Sequence, residues 1–254
     1  MPVQIFGGNK LTRSPFFLAL IEFLREEKSL REIHKAFEDT RNLDRQLDQL
    51  ISAGLVIRSE KRYRLGFPIF TDGDFKLEPT ALAPSRLSYD GPIFIEAGSR
   101  LAERLSQSLI YQTLTNETNS VKLHFISRFD HGTENLFNYF YKLEKELPLS
   151  PFEEEVYQIL GDVDPEYCLK YMTTFLLRFL KKESINVSRP DIFVRTLEKY
   201  GMIEKTGEKS YMLKQSFQAE EELPVQTFTD PKAFIQAQLA QQQTSVHDYL
   251  SIGG

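Results

Sequence analysis

TRNLDRQLDQLISAGLVIRSEKRYRL, residues 40–65, changes its period at a glycine. Leu43, Leu47, Leu50 and Ile51 recur at helical spacing, so the first half reads as an amphipathic helix. Gly54 stops it, and Leu55-Val56-Ile57 begins a strand. The polar turn Arg58-Ser59-Glu60-Lys61-Arg62 then leads back through Tyr63 to Leu65. A helix, a glycine stop and a short hairpin are therefore expected here. The rest of the chain is read outward from them.

Upstream, Ser14-Pro15 opens FFLALIEFLREE, with Ser as cap and Pro in the first turn, where its missing N–H costs nothing. Phe17, Leu20, Ile21 and Leu24 form its inward stripe. Ser29-Leu30-Arg31-Glu32 is a capping box that starts a second short helix, with Leu30, Ile33 and Phe37 inward. Three helices of this size followed by a hairpin resemble the winged helix-turn-helix of bacterial transcription regulators. The resemblance covers residues 10–65 and is carried mainly by LDQLISAGLVIRSEKRYRL.

Downstream the same phrase returns. Ser150-Pro151-Phe152 opens EEEVYQIL as Ser14-Pro15-Phe16 opens FLALIEFL. Ser188-Arg189-Pro190-Asp191 then caps IFVRTLEKYGMIEKTGEKSYML, which aligns glycine on glycine, with Leu197 on Leu50, Val194 on Leu47 and Tyr211 near Tyr63. Between these anchors, DPEYCLKYMTTFLLRFLKKES reads as a long aromatic helix standing where the first copy has a short one. The fold class expected is mainly α with small β-hairpins: winged-helix domains over 10–65 and 150–215, a helical middle region over 66–149, and an acidic linker with a short C-terminal helix over 216–254.

The middle region starts as an irregular connection punctuated by Pro68, Pro79, Pro84 and Pro92. IEAGSRLAERLSQSLIYQTL follows as an amphipathic helix capped near Ser99, with Leu101, Leu105, Leu109 and Ile110 on one face. Val121–Arg128 alternates as a strand, and Thr133–Leu147 reads as a helix with Leu136, Phe137, Phe140 and Leu143 inward. After Glu220-Glu221-Glu222, a helix is expected over Pro231–Gln243. TSVHDYLSIGG is expected to be mobile unless Tyr249 and Leu250 dock.

Composition narrows the function classes. The 254 residues can bury a sizeable core, and 20 Phe and 11 Tyr supply it without a tryptophan. One cysteine, Cys168, excludes an internal disulfide or a cysteine-rich zinc site, and it reads as a core residue. MPVQIFGGNK is not a secretory signal and no apolar run is of membrane length, so a cytoplasmic protein with no membrane partner is expected. A net charge of -5 argues against bulk coating of nucleic acid. Lys10–Leu65 is nonetheless net basic, with 12 Lys+Arg against 9 Asp+Glu, and every later segment is net acidic. If any surface touches phosphate, it is this one.

Within it, Arg41, Asn42, Arg45, Gln46 and Gln49 line the exposed side of the helix, the side-chain types that can make paired hydrogen bonds to base edges. Arg58, Lys61, Arg62 and Arg64 of the hairpin suit phosphates. Asp44 and Asp48, among them, would face the negative groove. The second copy balances Arg189, Arg195 and Lys199 against Asp191 and Glu198, and is expected to bind protein or pack internally. His34 reads as structural. Phe129-Asp130-His131-Gly132 places a carboxylate beside an imidazole in a loop, and a turn is a commoner outcome there than an active site. Gly98-Ser99 is explained as an ordinary helix cap. HExxH, Walker, GxGxxG and GxSxG motifs are absent, so neither an enzyme nor a cofactor or metal is expected.

The leading expectation is a DNA-binding transcriptional regulator that contacts duplex DNA through its N-terminal winged helix. The alternative is a protein-interaction scaffold, binding a protein partner or a second copy without touching DNA. Tandem winged helices in an acidic chain are similar to the bacterial chromosome-segregation subunit that binds a kleisin and to adaptors of replication initiation. An enzyme built on the middle region ranks third.

Overall fold

The structure is a computed structural model that describes residues 2–76, 85–220, 223–241 and 247–253. It opens with strand β1 (Val3–Phe6), helix α1 (Pro15–Phe23), strand β2 (Lys28–Ser29), helices α2 (Leu30–Ala36) and α3 (Leu43–Ser52), and the hairpin β3 (Val56–Ser59) and β4 (Arg62–Leu65). Next come β5 (Arg86–Ser88), β6 (Ile93–Glu96), α4 (Arg100–Gln107), β7 (Leu109–Leu114), β8 (Val121–Arg128) and α5 (Leu136–Glu144). Helices α6 (Pro151–Leu160) and α7 (Pro165–Leu176) lead to β9 (Ser184–Asn186), α8 (Ile192–Lys199), β10 (Ile203–Lys205) and β11 (Ser210–Leu213). The chain ends with β12 (Val225–Thr227), α9 (Pro231–Ala240) and β13 (Tyr249–Ile252).

This architecture corrects the expected fold class. Instead of a mainly α chain with two winged-helix domains flanking a helical middle region, the protein is mixed α/β, 38% helical and 23% strand, with the strands of the described residues in five sheets. Short strands with distant partners leave no local pattern to read. β1 pairs antiparallel with β6, Val3 opposite Glu96, and β5 pairs in parallel with β12, Arg86 opposite Val225. The helix expected over residues 95–114 stops at Gln107, and Leu109 and Ile110 belong instead to β7, paired along its length with β8. Ile110, Tyr111 and Thr113 prefer a pleated strand, and β8 supplies the edge that helical periodicity could not reveal. Part of the expected proline-rich connection, residues 77–84, lies outside the described residues. So do Glu221, Glu222 and residues 242–246 of the tail.

The chain folds as two units. The first comprises Met1–Pro79, Tyr89–Ser106 and Phe228–Leu239. Ser14 accepts the N–H of Phe17 to start α1, and Ser29 and Glu32 form the full capping box of α2. Phe17, Leu20 and Ile21 of α1, Ile33 of α2 and Leu47 and Leu50 of α3 close on Tyr63 of β4, all buried. β4 is the middle strand of the sheet β2-β4-β3. Phe94 of β6 joins this core and stacks on Phe67 at 3.6 Å. The Asp72 carboxylate caps α4 by accepting the N–H of Leu101 at 2.8 Å, and Phe234 of α9 stacks on Tyr89.

The second unit comprises Thr80–Ser88, Gln107–Thr227 and Ala240–Gly254. Its larger sheet runs β13-β8-β7, so Tyr249 and Leu250 dock as the edge strand beside β8. Leu123 and Phe125 on one face of β8 share a core with Leu136 and Tyr139 of α5 and with Met172 and Leu176 of α7. Polar side chains enter that same face. Asn135 caps α5 and donates to Ser127, which donates to Gln112, each at 2.6 Å. The fully buried Glu153 accepts the Ser150 N–H at the start of α6 and is gripped by Lys142 Nζ at 2.7 Å.

The internal repeat has a common detail and a difference. At the end of α3, Gly54 donates to Ile51 and Leu55 to Leu50; at the end of α8, Gly201 donates to Glu198 and Met202 to Leu197. Both helices thus end in the same paired-bond glycine motif, with buried residues across it. Tyr63 and Tyr211 both occupy the middle strand of a three-stranded sheet. The long helix α7, however, precedes β9, whereas α2 follows β2. It is therefore not the counterpart of α2, and in the second copy an extended turn around Pro190 stands where α2 would be.

Candidate nucleic-acid interface

α3 begins without a side-chain cap. Asn42 sits at φ 54°, in the left-handed region, and leaves its own side chain unused for capping. At 3.6 residues per turn, Arg45, Asp48, Gln49 and Ser52 fall on the face opposite Leu47 and Leu50, and all four are exposed. Arg41 and Asn42, just before the helix, are exposed as well. Gln46 lies closer to the core, and its amide donates to the Arg41 carbonyl at 2.8 Å, so it braces the entry to the helix. Asp44 is drawn aside by His34 of α2, Nε2 to Oδ1 at 2.7 Å. Asp48 is the carboxylate that remains in the stripe beside Arg45.

The hairpin distributes its cations over two faces. Directly opposed residues of antiparallel strands share a face, and successive residues alternate. Arg58 opposes Tyr63, so it lies on the core-facing side, where its guanidinium rests 5.7 Å from the tyrosine ring centroid. Arg62 and Arg64 point to the other side. Arg62 pairs with Glu32 at 3.4 Å and Arg64 with Glu27 at 3.9 Å, all four side chains at least half exposed. The hydroxyl and the backbone N–H of Ser29 hold the Glu32 carboxyl below its ordinary range, with help from Arg62. Exposed pairs of this kind contribute roughly 0–1 kcal/mol and are screened by salt, so phosphate can replace the carboxylates at small cost. Lys61 occupies the turn itself at φ 64°. Among the described residues, Arg41, Arg45 and Lys61 have no ion-pair partner.

The nine candidate residues therefore differ in availability. Arg41, Asn42, Arg45, Gln49 and Lys61 are open, Arg62 and Arg64 are reversibly engaged, Arg58 is exposed beside the Tyr63 ring, and Gln46 braces the helix entry. Periodicity identified the exposed face of α3. The two-faced hairpin follows from a strand register that the sequence does not specify.

Two further places group imidazole with carboxylate or hydroxyl side chains. In the loop after β8, the Asp130 carboxylate accepts the Gly132 N–H at 2.8 Å and lies 3.5 Å from Arg128, while His131 bonds Asn138 and stacks on Tyr141. The imidazole and the carboxylate thus have separate partners, the arrangement of a structural turn. Sequence reading missed His124 of β8, whose Nε2 is 2.7 Å from the Ser251 hydroxyl and whose Nδ1 is 3.2 Å from that of Thr113. His124 is 4% and Ser251 0% exposed, and burial pushes the imidazole below its ordinary pKa. A pair closed to solvent ties strands together and has no route to a substrate. Its signal was a histidine inside the alternating run VKLHFISR. Among the described residues no cluster of His, Cys, Asp and Glu could hold a metal ion, and no helix is long and apolar enough to cross a membrane. Cys168 is fully buried, which pushes its thiol up to about 12.

Comparison with known proteins adds one match. Residues 4–108, less than half of the chain, are similar to a family described as a domain of unknown function (DUF1803), and that span contains α3 and the hairpin. No curated protein and no solved structure matches the chain.

Proposed function

We propose that the protein is a DNA-binding transcriptional regulator whose duplex-contacting surface is α3 with the β3–β4 turn. The observation that carries this reading is the exposed set Arg41, Arg45 and Lys61, cations with no ion-pair partner among the described residues, in the net-basic part of an acidic chain. In this reading Arg45 and Gln49 face base edges, and Lys61, Arg62 and Arg64 contact phosphate. The test is binding to random duplex over a salt series. Affinity should fall steeply as salt rises, and Arg62→Ala with Arg64→Ala should reduce the log–log slope by about 1 to 2. Arg45→Ala should weaken binding while Arg195→Ala, in the second copy, leaves it unchanged. Absence of duplex binding at low salt refutes the reading.

A second reading, an interaction scaffold, is favoured by a specific feature of α7. Tyr167 and Tyr171 stand 50% and 41% exposed with ring centroids 4.7 Å apart, and Tyr171 stacks on Phe193. Aromatic groups of this kind anchor protein contacts. Concentration-dependent self-association lost in Tyr167→Ala with Tyr171→Ala, without duplex binding, would favour this reading.

A further inference from the structure

The second unit contains a groove of about 730 Å³, set against the edge of its core, that the DNA reading does not use. It opens between the outer side of α5, the end of β7 and the α6–α7 connection. Phe137, Phe140, Leu143 and Leu169 give it an apolar wall. Its volume falls within the roughly 300–1,000 Å³ usual for small-molecule sites, which are mostly apolar with a few placed polar groups.

The polar groups are of one sign. Glu144, Asp162 and Asp164 line the groove, and no Lys, Arg or His is among its lining residues. Asp164 is held in place as the cap of α7, accepting the Tyr167 N–H at 3.0 Å, and Glu144 bonds the outlying Lys145. Asp162 has no ion-pair partner among the described residues. Two aromatic rings, Tyr141 and Tyr157, complete the lining, and Tyr141 is braced from behind by its stack on His131 at 4.0 Å. Carboxylates and aromatic faces around an apolar floor attract a cation and repel an anion.

We infer that this groove is a binding site for a small organic cation with an apolar body, the body lying on Phe137, Phe140 and Leu143 and the ammonium group reaching Asp162, Glu144 and the tyrosine rings. The site belongs to the second unit alone, so its fate is separable from that of the DNA reading.

The test uses the full chain in calorimetric titration with 4-phenylbutylammonium, and with 4-phenylbutyrate and 4-phenylbutanol as matched anionic and neutral probes. The ammonium should bind saturably with one site and more tightly than either control. Asp162→Asn and Glu144→Gln, both at exposed positions, should each weaken it by about twofold to fivefold, the size of a partly exposed charge pair. Leu143→Trp, which fills the groove, should abolish binding; if that variant melts early, the two charge variants decide. Absence of saturable ammonium binding overturns the inference. So does equal binding of the three probes, or wild-type affinity in the variant that combines Asp162→Asn and Glu144→Gln.

Discussion

Glu60 and Lys61 turn β3 into β4 with φ of 49° and 64°, left-handed at both central positions of a two-residue loop. Asn-Gly fills such a turn without strain, whereas each L side chain with a bulkier stem costs of order 1 kcal/mol. Replacing the pair, Glu60→Asn with Lys61→Gly, should therefore stabilise the first unit by about 1–2 kcal/mol, seen as a higher urea midpoint at unchanged slope. On the proposed function, the same change should weaken duplex binding by removing a phosphate contact. From the sequence the turn's charge was legible and its strain was not, because the strain depends on a register that places only two residues in the loop. Arg58 and Gln46 show a related effect. Both side-chain types suit nucleic acid, yet here each has a nearer partner.

Helix ends were the most legible elements, because most of their caps lie within a few residues; the Asp72 carboxylate on α4 is an exception. Ser14, Ser29 and Ser150 cap the helices they were expected to cap, and Gly54 and Gly201 end α3 and α8 at φ 71° and 66°. A Cβ at either glycine would meet no atom within 4 Å, so substitution there costs only the backbone preference. Gly54→Ala and Gly201→Ala should each destabilise their own unit by about 1–2 kcal/mol, and thermal melts of the two variants should show similar shifts. Gly66 differs. A Cβ there would lie 2.0 Å from the Gly54 carbonyl oxygen, where the chain leaving the hairpin crosses the end of α3. Strands, by contrast, take their partners from far away. β8 was legible because eight alternating residues carry their own pattern. β1, β5, β6 and β12 were not, since three or four residues paired at long range carry almost none.

At the scale of the whole molecule, the glycine end shared by α3 and α8 could be read locally, and the mixed α/β character was hidden in the sheets that join distant segments. The sheet around His124 is the case with a measurable outcome. Burial depresses this imidazole below its ordinary value of 6.5, so the folded chain holds it neutral while the unfolded chain takes up a proton as pH falls. Stability from the neutral ring is complete above the unfolded value and is lost as pH drops from there through the folded one. The melting midpoint of the second unit should therefore fall between about pH 7 and pH 5. His124→Gln, which keeps a hydrogen-bonding side chain, should flatten that part of the profile. Asp248, whose carboxyl burial pushes up, acts in the opposite sense, so wild type and variant are to be compared at each pH.

The late segments also bear on how the chain is made. The first unit recruits Phe228–Leu239, with Phe234 buried in it, and the second closes its sheet with Tyr249–Ile252. Synthesis delivers α1 to β4 early, yet neither unit has its full set of elements until residues 228–252 have cleared the ribosome. Until then β8 presents an unpaired edge and the apolar surface that Phe234 covers stays open, features that invite chaperone capture or misassembly.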